Sequence, residues 1–244
     1  MTVAGQTSRT SDSHIGKVVD RVLDSLPDPA RWQNPGGYPD GLALCTIDAV
    51  QSIGVRYGSV VTVLDRYRTF RRAQGAEPAV DGAAELLRTF ADVGGVNPWA
   101  AAIGNAHRTS TTPGAPLKAE AVEQAATVLL AARLPTCHAL RQGADDQLHV
   151  AKQAWLRVPG QRSGISWRYL LMLAGRPGVK PDRMIIRFVA AALGCPVGAV
   201  TPDQAADLVE QAAGRLNVTS THLDHAIWRW QSGRDLGTGA QVDR

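Results

Sequence analysis

The chain has 244 residues, of which 44% are hydrophobic, so it is long enough to bury the core of one large domain or of two small lobes. Its three cysteines are dispersed and form no CxxC pair, which argues against a disulfide framework, a zinc ribbon and a cysteine-ligated cluster. The polar start lacks the apolar core of a signal peptide and no apolar run reaches about 18 residues, so we expect a soluble, cytoplasmic protein, associated with the nucleoid if it is bacterial.

The pattern of apolar residues predicts an all-α fold, because β-branched runs are short and no alternating pattern persists. We expect residues 1–13 to form a disordered lead, 14–232 a helical domain and 233–244 a flexible tail. Apolar positions at helical spacing predict helices near 15–26, 40–52, 55–73, 80–93, 97–106, 117–133, 146–157, 164–174, 182–193, 202–215 and 220–231.

Positive charge is concentrated between Ala151 and Val200. This stretch carries eight basic side chains and one acid, whereas the rest of the chain carries 18 basic and 21 acidic side chains, a net charge of −3. The basic residues are Lys152, Arg157, Arg162, Arg168, Arg176, Lys180, Arg183 and Arg187. A concentrated cationic segment in an otherwise slightly acidic chain favours a polyanion partner such as nucleic acid.

A Gly-containing turn lies inside the basic stretch, between two predicted helices. It reads Val158-Pro159-Gly160-Gln161-Arg162-Ser163-Gly164. Helix N-termini leave backbone N–H groups unpaired, and these groups together with the positive end of the helix dipole bind phosphate well. A Pro-Gly turn is also a common connector, but the nearby Arg157, Arg162 and Arg168 favour a phosphate site here.

The lone acid of the basic stretch, Asp182, follows Pro181 and precedes a helical apolar stripe. Its simplest role is to cap the N-terminus of that helix, which aspartate does well. A carboxylate fixed there in a cationic, DNA-facing site would also orient water and stabilise positive charge that develops on a deoxyribose ring. The two roles are compatible, since capping fixes the side chain.

The run from Val158 to Asp182, with Gly175-Arg176-Pro177-Gly178-Val179-Lys180-Pro181 between them, resembles the helix-hairpin-helix (HhH-GPD) DNA glycosylases of the endonuclease III type. Their signature is a Leu-Pro-Gly-x-Gly hairpin, a helix, a Gly-x-Pro loop and a catalytic Asp. Weaker similarities are Ala49-Val50-Gln51-Ser52 to an early Ser-Ala-Gln motif, Lys118-Ala119 to a Lys-Ala helix start, and 222–228 to a late helix.

The resemblance implies a two-lobed helical fold with a central cleft that binds double-stranded DNA, and a role in base-excision repair of DNA damage. A base would be flipped out and its N-glycosidic bond hydrolysed with Asp182 as the catalytic carboxylate. Gln51 matches the residue that fills the gap left by the flipped base, and Trp167 is a candidate to stack on that base. The expected DNA contacts also include Pro159, Gly160, Gln161, Arg162, Ser163, Gly164, Arg168 and Lys180.

Three departures from the family pattern limit the chemistry that we expect. Gly164 stands where bifunctional members carry the Schiff-base lysine, so strand cleavage by that route is not expected. Arg162 replaces the second hairpin glycine, which puts in doubt the tight turn and the alkali-metal site of family hairpins. The four-cysteine loop is missing, so neither an iron–sulfur cluster nor another cofactor is expected.

Two other classes of function stay open at this point. The same fold without catalysis would be a DNA-binding module, and the departures at Arg162 and Gly164 favour that alternative. A helical protein-interaction scaffold with an incidental basic stretch is the third. His222 and His225 are three residues apart but lack a recognised ligand spacing, so we predict no metal site.

Overall fold

The structure is a computed structural model that describes residues 3–233, with side chains from Asp12 onward. This part of the chain is all-α, and its only β-type pairing is an isolated bridge between Arg108 and Leu117. Its α-helices are α1 (Val3–Ser25), α2 (Leu42–Gln51), α3 (Tyr57–Ala73), α4 (Ala83–Val93), α5 (Val96–Ala102), α6 (Lys118–Ala131), α7 (Cys137–Gln142), α8 (Asp145–Trp155), α9 (Ile165–Leu173), α10 (Arg183–Leu193), α11 (Pro202–Arg215) and α12 (Ser220–Gln231). None of these helices is long and apolar enough to cross a bilayer.

The helices predicted from apolar spacing are confirmed, with two differences. α1 begins at Val3 and so includes most of the segment predicted as a disordered lead; once the amphipathic part of a helix is formed, extending it adds one hydrogen bond per residue fixed. α7 was not predicted because six residues are too few to show a period. Its start is marked by Thr136, whose side chain accepts a hydrogen bond from the N–H of Ala139 at 3.1 Å. The predicted tail beyond Gly233 lies outside the described residues.

The chain divides into two compact units. The first comprises residues 1–36 and 177–244, of which 3–36 and 177–233 are described. In it α1 packs against α10 and α11, and α12 packs against α10 and α11. The core of this unit is formed by apolar side chains that include Val18, Phe188 and Leu223.

The second unit, residues 37–176, is organised around α2. All ten residues of α2 are buried, since α3, α4, α6 and α9 pack around it. A helix with apolar residues on most of its faces is expected in such a central position. Trp99 stacks on Phe90 with ring centroids 4.5 Å apart, and its indole N–H donates to Thr89 at 2.9 Å.

A buried ion pair joins α3 to the loop before α4. The guanidinium of Arg71 donates to both carboxylate oxygens of Asp81, at 2.7 and 3.0 Å, and the hydroxyl of Tyr67 donates to the same carboxylate at 2.8 Å. Two parallel bonds from a guanidinium satisfy the geometry of a carboxylate, and this compensates for the loss of its hydration. The pair therefore fixes this loop in the second unit.

Removing the charge of Asp81 is expected to destabilise the fold, because it leaves the buried guanidinium of Arg71 without a counter-ion. Asp81→Asn should lower the free energy of unfolding in urea by about 3 to 5 kcal/mol. The matched control is Asp65→Asn, which removes the exposed partner of Arg68; the side chain of Asp65 is 60% exposed, against 5% for Asp81. That control should change stability by less than about 1 kcal/mol, and equal effects of the two substitutions would contradict this account.

Candidate functional site

The segment 158–166 joins α8 to α9 in the second unit as a tight hairpin. The N–H of Gln161 donates to the carbonyl of Val158 and the N–H of Gly164 to the carbonyl of Gln161, both at 3.0 Å. Gly160 and Gly164 hold left-handed φ values of +78° and +74°, which glycine adopts without a steric penalty. Arg162, which replaces the family's second glycine, does not have a positive φ. The tight turn that this replacement put in doubt is therefore formed.

The hairpin presents backbone donors beside positive charge. Within the described part of the chain, the N–H groups of Gly160, Arg162 and Ser163 have no hydrogen-bond partner. Arg157 and Arg162 are exposed, as is Ser163, and α9 begins immediately afterwards. Unpaired N–H groups in a turn that leads into a helix, next to guanidinium groups, form an arrangement that can bind a phosphate. Pro159 and Arg168 are half-buried at its edges.

Gln161 occupies a different position from the one predicted. Its side chain is buried, and its amide Nε2 donates to the carbonyl of Pro159 at 3.1 Å. The side chain therefore faces into the hairpin and braces the turn, and its amide is not exposed on the outer surface of the hairpin.

A loop that the sequence did not connect with the hairpin packs against it. Thr109 lies so close to Gly160 that a Cβ atom on this glycine would come within 2.9 Å of the Thr109 Cβ. The N–H of Thr109 donates to the carbonyl of Pro116 at 3.0 Å, which closes the loop beside the Arg108–Leu117 bridge. Gly160 is thus required both for its φ and for the close approach of a second chain segment.

The side chains of two predicted base contacts, Trp167 and Gln51, lie in the core. Trp167 is only 3% exposed, and its ring packs edge-on against Trp155 with centroids 5.7 Å apart, so it offers no face to an extruded base. Gln51 is 1% exposed, and its Oε1 accepts a hydrogen bond from Asn105 at 3.2 Å. Its carbonyl accepts from the buried amine of Lys118 at 2.7 Å. Gln51 ends a buried helix, and its side chain is held inside the second unit.

Asp182 belongs to the first unit and caps α10. Its Oδ1 accepts hydrogen bonds from the N–H groups of Met184 and Ile185, at 2.8 and 3.4 Å. No partner of Oδ2 is found among the described residues, and the side chain is half-buried. The carboxylate is therefore held by one oxygen while the other remains available. Lys180 lies in the same unit and is half-buried as well.

A second carboxyl of the first unit, Asp224, was not singled out from the sequence. It is 7% exposed, and its Oδ1 accepts the N–H of Lys180 at 2.9 Å. Burial raises the pKa of Asp224 to about 8; the N–H of Lys180 lowers this pKa, the charge of Asp182 raises it and the charge of Lys180 lowers it. The sequence signal was an acid between Leu223 and Ile227, on the apolar side of α12.

The described side chains were searched for a metal site, and the hairpin for the amine of a covalent intermediate. They contain no group of three or more His, Cys, Asp or Glu residues placed to hold a metal ion. The hairpin position of the family's lysine is occupied by Gly164, so no amine stands there.

Comparison with known proteins places the chain in a family. The model of a family described as a domain of unknown function (DUF8548) matches residues 16–232, which include most of the described part of both units. No curated protein and no solved structure matches the chain.

Alanine substitutions at the two hairpin glycines are expected to lower the free energy of unfolding by different amounts. Gly164→Ala adds a Cβ at a positive φ with only Leu156 Cδ2 nearby, at 3.5 Å, and should lower the free energy of unfolding by about 1 to 2 kcal/mol. Gly160→Ala meets Thr109 as well, and should cost at least about 1 kcal/mol more. Urea unfolding of the two variants measures both values. A smaller loss at Gly160 than at Gly164 would contradict the close packing of the Thr109 loop.

Proposed function

We propose that this chain, which belongs to the DUF8548 family, is a DNA-binding base-excision protein. In this proposal the 158–166 hairpin binds the phosphate backbone of double-stranded DNA. Asp182 is the carboxylate of a monofunctional N-glycosylase of the helix-hairpin-helix type. The observation that carries the proposal is the geometry of the hairpin, a sharp turn with open N–H groups and exposed arginines at the start of α9.

Phosphate binding is the better supported half of the proposal. Three backbone N–H groups, at Gly160, Arg162 and Ser163, lie in one short turn without a partner among the described residues. In water such groups are solvated, and a phosphate oxygen can replace that water. Backbone donors recognise phosphate independently of base sequence, so this element positions DNA and does not read it. Arg157 and Arg162 add a charge-dependent contribution to the affinity.

The excision half depends on the carboxylate of Asp182. As the N-glycosidic bond breaks, the bonding electrons leave with the base and the sugar becomes oxocarbenium-like, so a nearby negative charge stabilises it. Water then gives its hydroxyl to C1′ and its proton to the departing base, which yields a free base and an abasic sugar. With Oδ1 engaged by the N–H groups of α10, Oδ2 is the oxygen that would face the sugar or the water.

A second candidate is a DNA-binding protein of the same type without base excision. Two observations favour it: Gln51 and Trp167, the residues expected to fill the duplex gap and to stack on the base, are both buried in the core. Under this alternative the hairpin keeps its role and Asp182 is only a helix cap. The two candidates therefore agree on DNA binding and differ in whether any base is released.

Loss of the hairpin charge is expected to weaken DNA binding in a salt-dependent manner. Arg162→Gln should raise the Kd for a duplex oligonucleotide severalfold and reduce the slope of log K against log salt by about 0.9, the value for one phosphate contact. Arg88→Gln is the matched control, because Arg88 is an exposed arginine on α4 of the same unit; its slope should stay at the wild-type value. Fluorescence anisotropy across a salt series measures both. Identical slopes for the two variants would remove the hairpin from the interface.

The carboxylate is tested by Asp182→Asn, which preserves the helix cap because asparagine caps as well as aspartate. Release of free base from lesion-bearing duplexes, measured by mass spectrometry, should fall by about 100-fold or more, while DNA affinity is retained. Asp28→Asn is the control: Asp28 caps a short 3-10 helix in the same unit, accepting from Ala30 at 2.8 Å. Undiminished release from Asp182→Asn would refute the catalytic assignment. Salt-sensitive binding with no release by the wild type across the lesion panel would establish the second candidate.

A further inference from the structure

Two side chains of α12 hold the segment that leads to Asp182, residues 178–181, which we call the Asp182 loop. The N–H of Gly178 donates to Thr221 Oγ1 at 3.0 Å. One turn further along α12, Asp224 Oδ1 accepts the N–H of Lys180 at 2.9 Å. Thr221 and Asp224 are three residues apart and so share one face of the helix. Two side chains of α12 therefore bind the backbone of this loop by hydrogen bonds.

We propose that Asp224 is a positioning residue that fixes the carboxylate of Asp182 through the backbone of the Asp182 loop, an inference that rests on the proposed function. A continuous set of hydrogen bonds connects the two carboxyls. Asp224 accepts the N–H of Lys180, whose carbonyl accepts the N–H of Asp182 at 2.7 Å. Asp182 Oδ1 in turn accepts the N–H groups of Met184 and Ile185. A displacement at Asp224 is thereby passed to Asp182 and to the first turn of α10.

The charge state of Asp224 gives this connection a pH dependence. Burial raises its pKa to about 8 from an ordinary value of 3.8, the charge of Asp182 raises it further, and the N–H and ammonium of Lys180 lower it. The nearest titratable groups on α12 itself are His222 and His225. α10 and α11 also pack against α12, and the charge that acts on this carboxyl from the α10 side is that of Asp182, the N-cap of α10. Asp224 is therefore mostly neutral at pH 7 and gains a negative charge, close to that of Asp182, above pH 8.

Asp224→Asn separates positioning from charge. The amide keeps an oxygen that accepts the N–H of Lys180, and it imitates the neutral carboxyl at every pH. Between about pH 4 and pH 8, Asp224 of the wild type is protonated in the folded chain and ionised in the unfolded chain. The stability that this group contributes is therefore lost as the pH rises through that window. The variant should therefore become more stable than the wild type as the pH is raised toward 8, which keeps it folded for the other measurements.

The backbone amides provide a test that does not depend on catalysis. In amide NMR spectra of the wild type, the Lys180 resonance should titrate with a midpoint near pH 8, and the resonances of Met184 and Ile185 should follow with the same midpoint. All three transitions should disappear in Asp224→Asn. They should persist in Asp207→Asn, which removes an exposed acid from α11. A titration at Lys180 that does not reach Met184 and Ile185 would overturn the positioning role.

Base release completes the experiment and distinguishes this inference from the proposed function. The wild-type rate should change with a midpoint near pH 8 and Asp224→Asn should remove that transition. Asp224→Ala, which removes the acceptor of the Lys180 N–H, should lower kcat by about tenfold or more at pH 7 with KM unchanged. A transition near pH 8 that persists in Asp224→Asn would contradict the inference. Absence of base release from every variant, with the three coupled NMR titrations present, would refute the enzyme and leave the positioning of Asp182 in place.

Discussion

The N–H groups at the start of a helix have no partner within the helix, and α9 and α10 meet that constraint in different ways. At α10 the side chain of Asp182 satisfies two of these groups through a single oxygen. At α9 the hairpin brings Gly164 to the N-cap position, where there is no side chain to serve as a cap. At α10 the acceptor is a carboxylate of the protein. At α9 the first N–H, that of Ile165, donates to Ser163 Oγ at 3.4 Å, and the open donors belong to the hairpin before the helix.

Both arrangements depend on glycine or aspartate in positions where other residues would change the chemistry. Left-handed φ at Gly160 and Gly164 makes the hairpin so tight that the N–H groups of Gly160, Arg162 and Ser163 find no partner within it. The Thr109 loop reinforces the turn by packing directly on Gly160. Arg162, between the glycines, needs no unusual backbone conformation and so adds charge without loosening the turn. A phosphate-binding element is consistent with this combination of rigidity, open donors and positive charge.

Buried carboxyls in this fold are compensated in two different ways. Asp81 meets a guanidinium and a phenol, so its negative charge is matched inside the second unit. Asp224 meets a backbone N–H, and burial together with the charge of Asp182 raises its pKa more than the N–H and ammonium of Lys180 lower it. Burial of a carboxyl favours its protonated form. This is why one of these aspartates serves as a structural ion pair and the other is suited to respond to pH.

Apolar spacing in the sequence determined the all-α class and the positions of most helices, because a 3.6-residue period is a local property of the chain. Local sequence also determined that Asp182 begins α10 and that a glycine turn precedes α9. Which side chains face outward was decided only by the tertiary structure, since Gln51, Gln161 and Trp167 are buried by residues distant in sequence. The contact of Thr109 with Gly160 and the bond from Lys180 to Asp224 join segments about 50 and 44 residues apart. No local period or motif encodes such contacts, because they form only when segments distant in the sequence pack together.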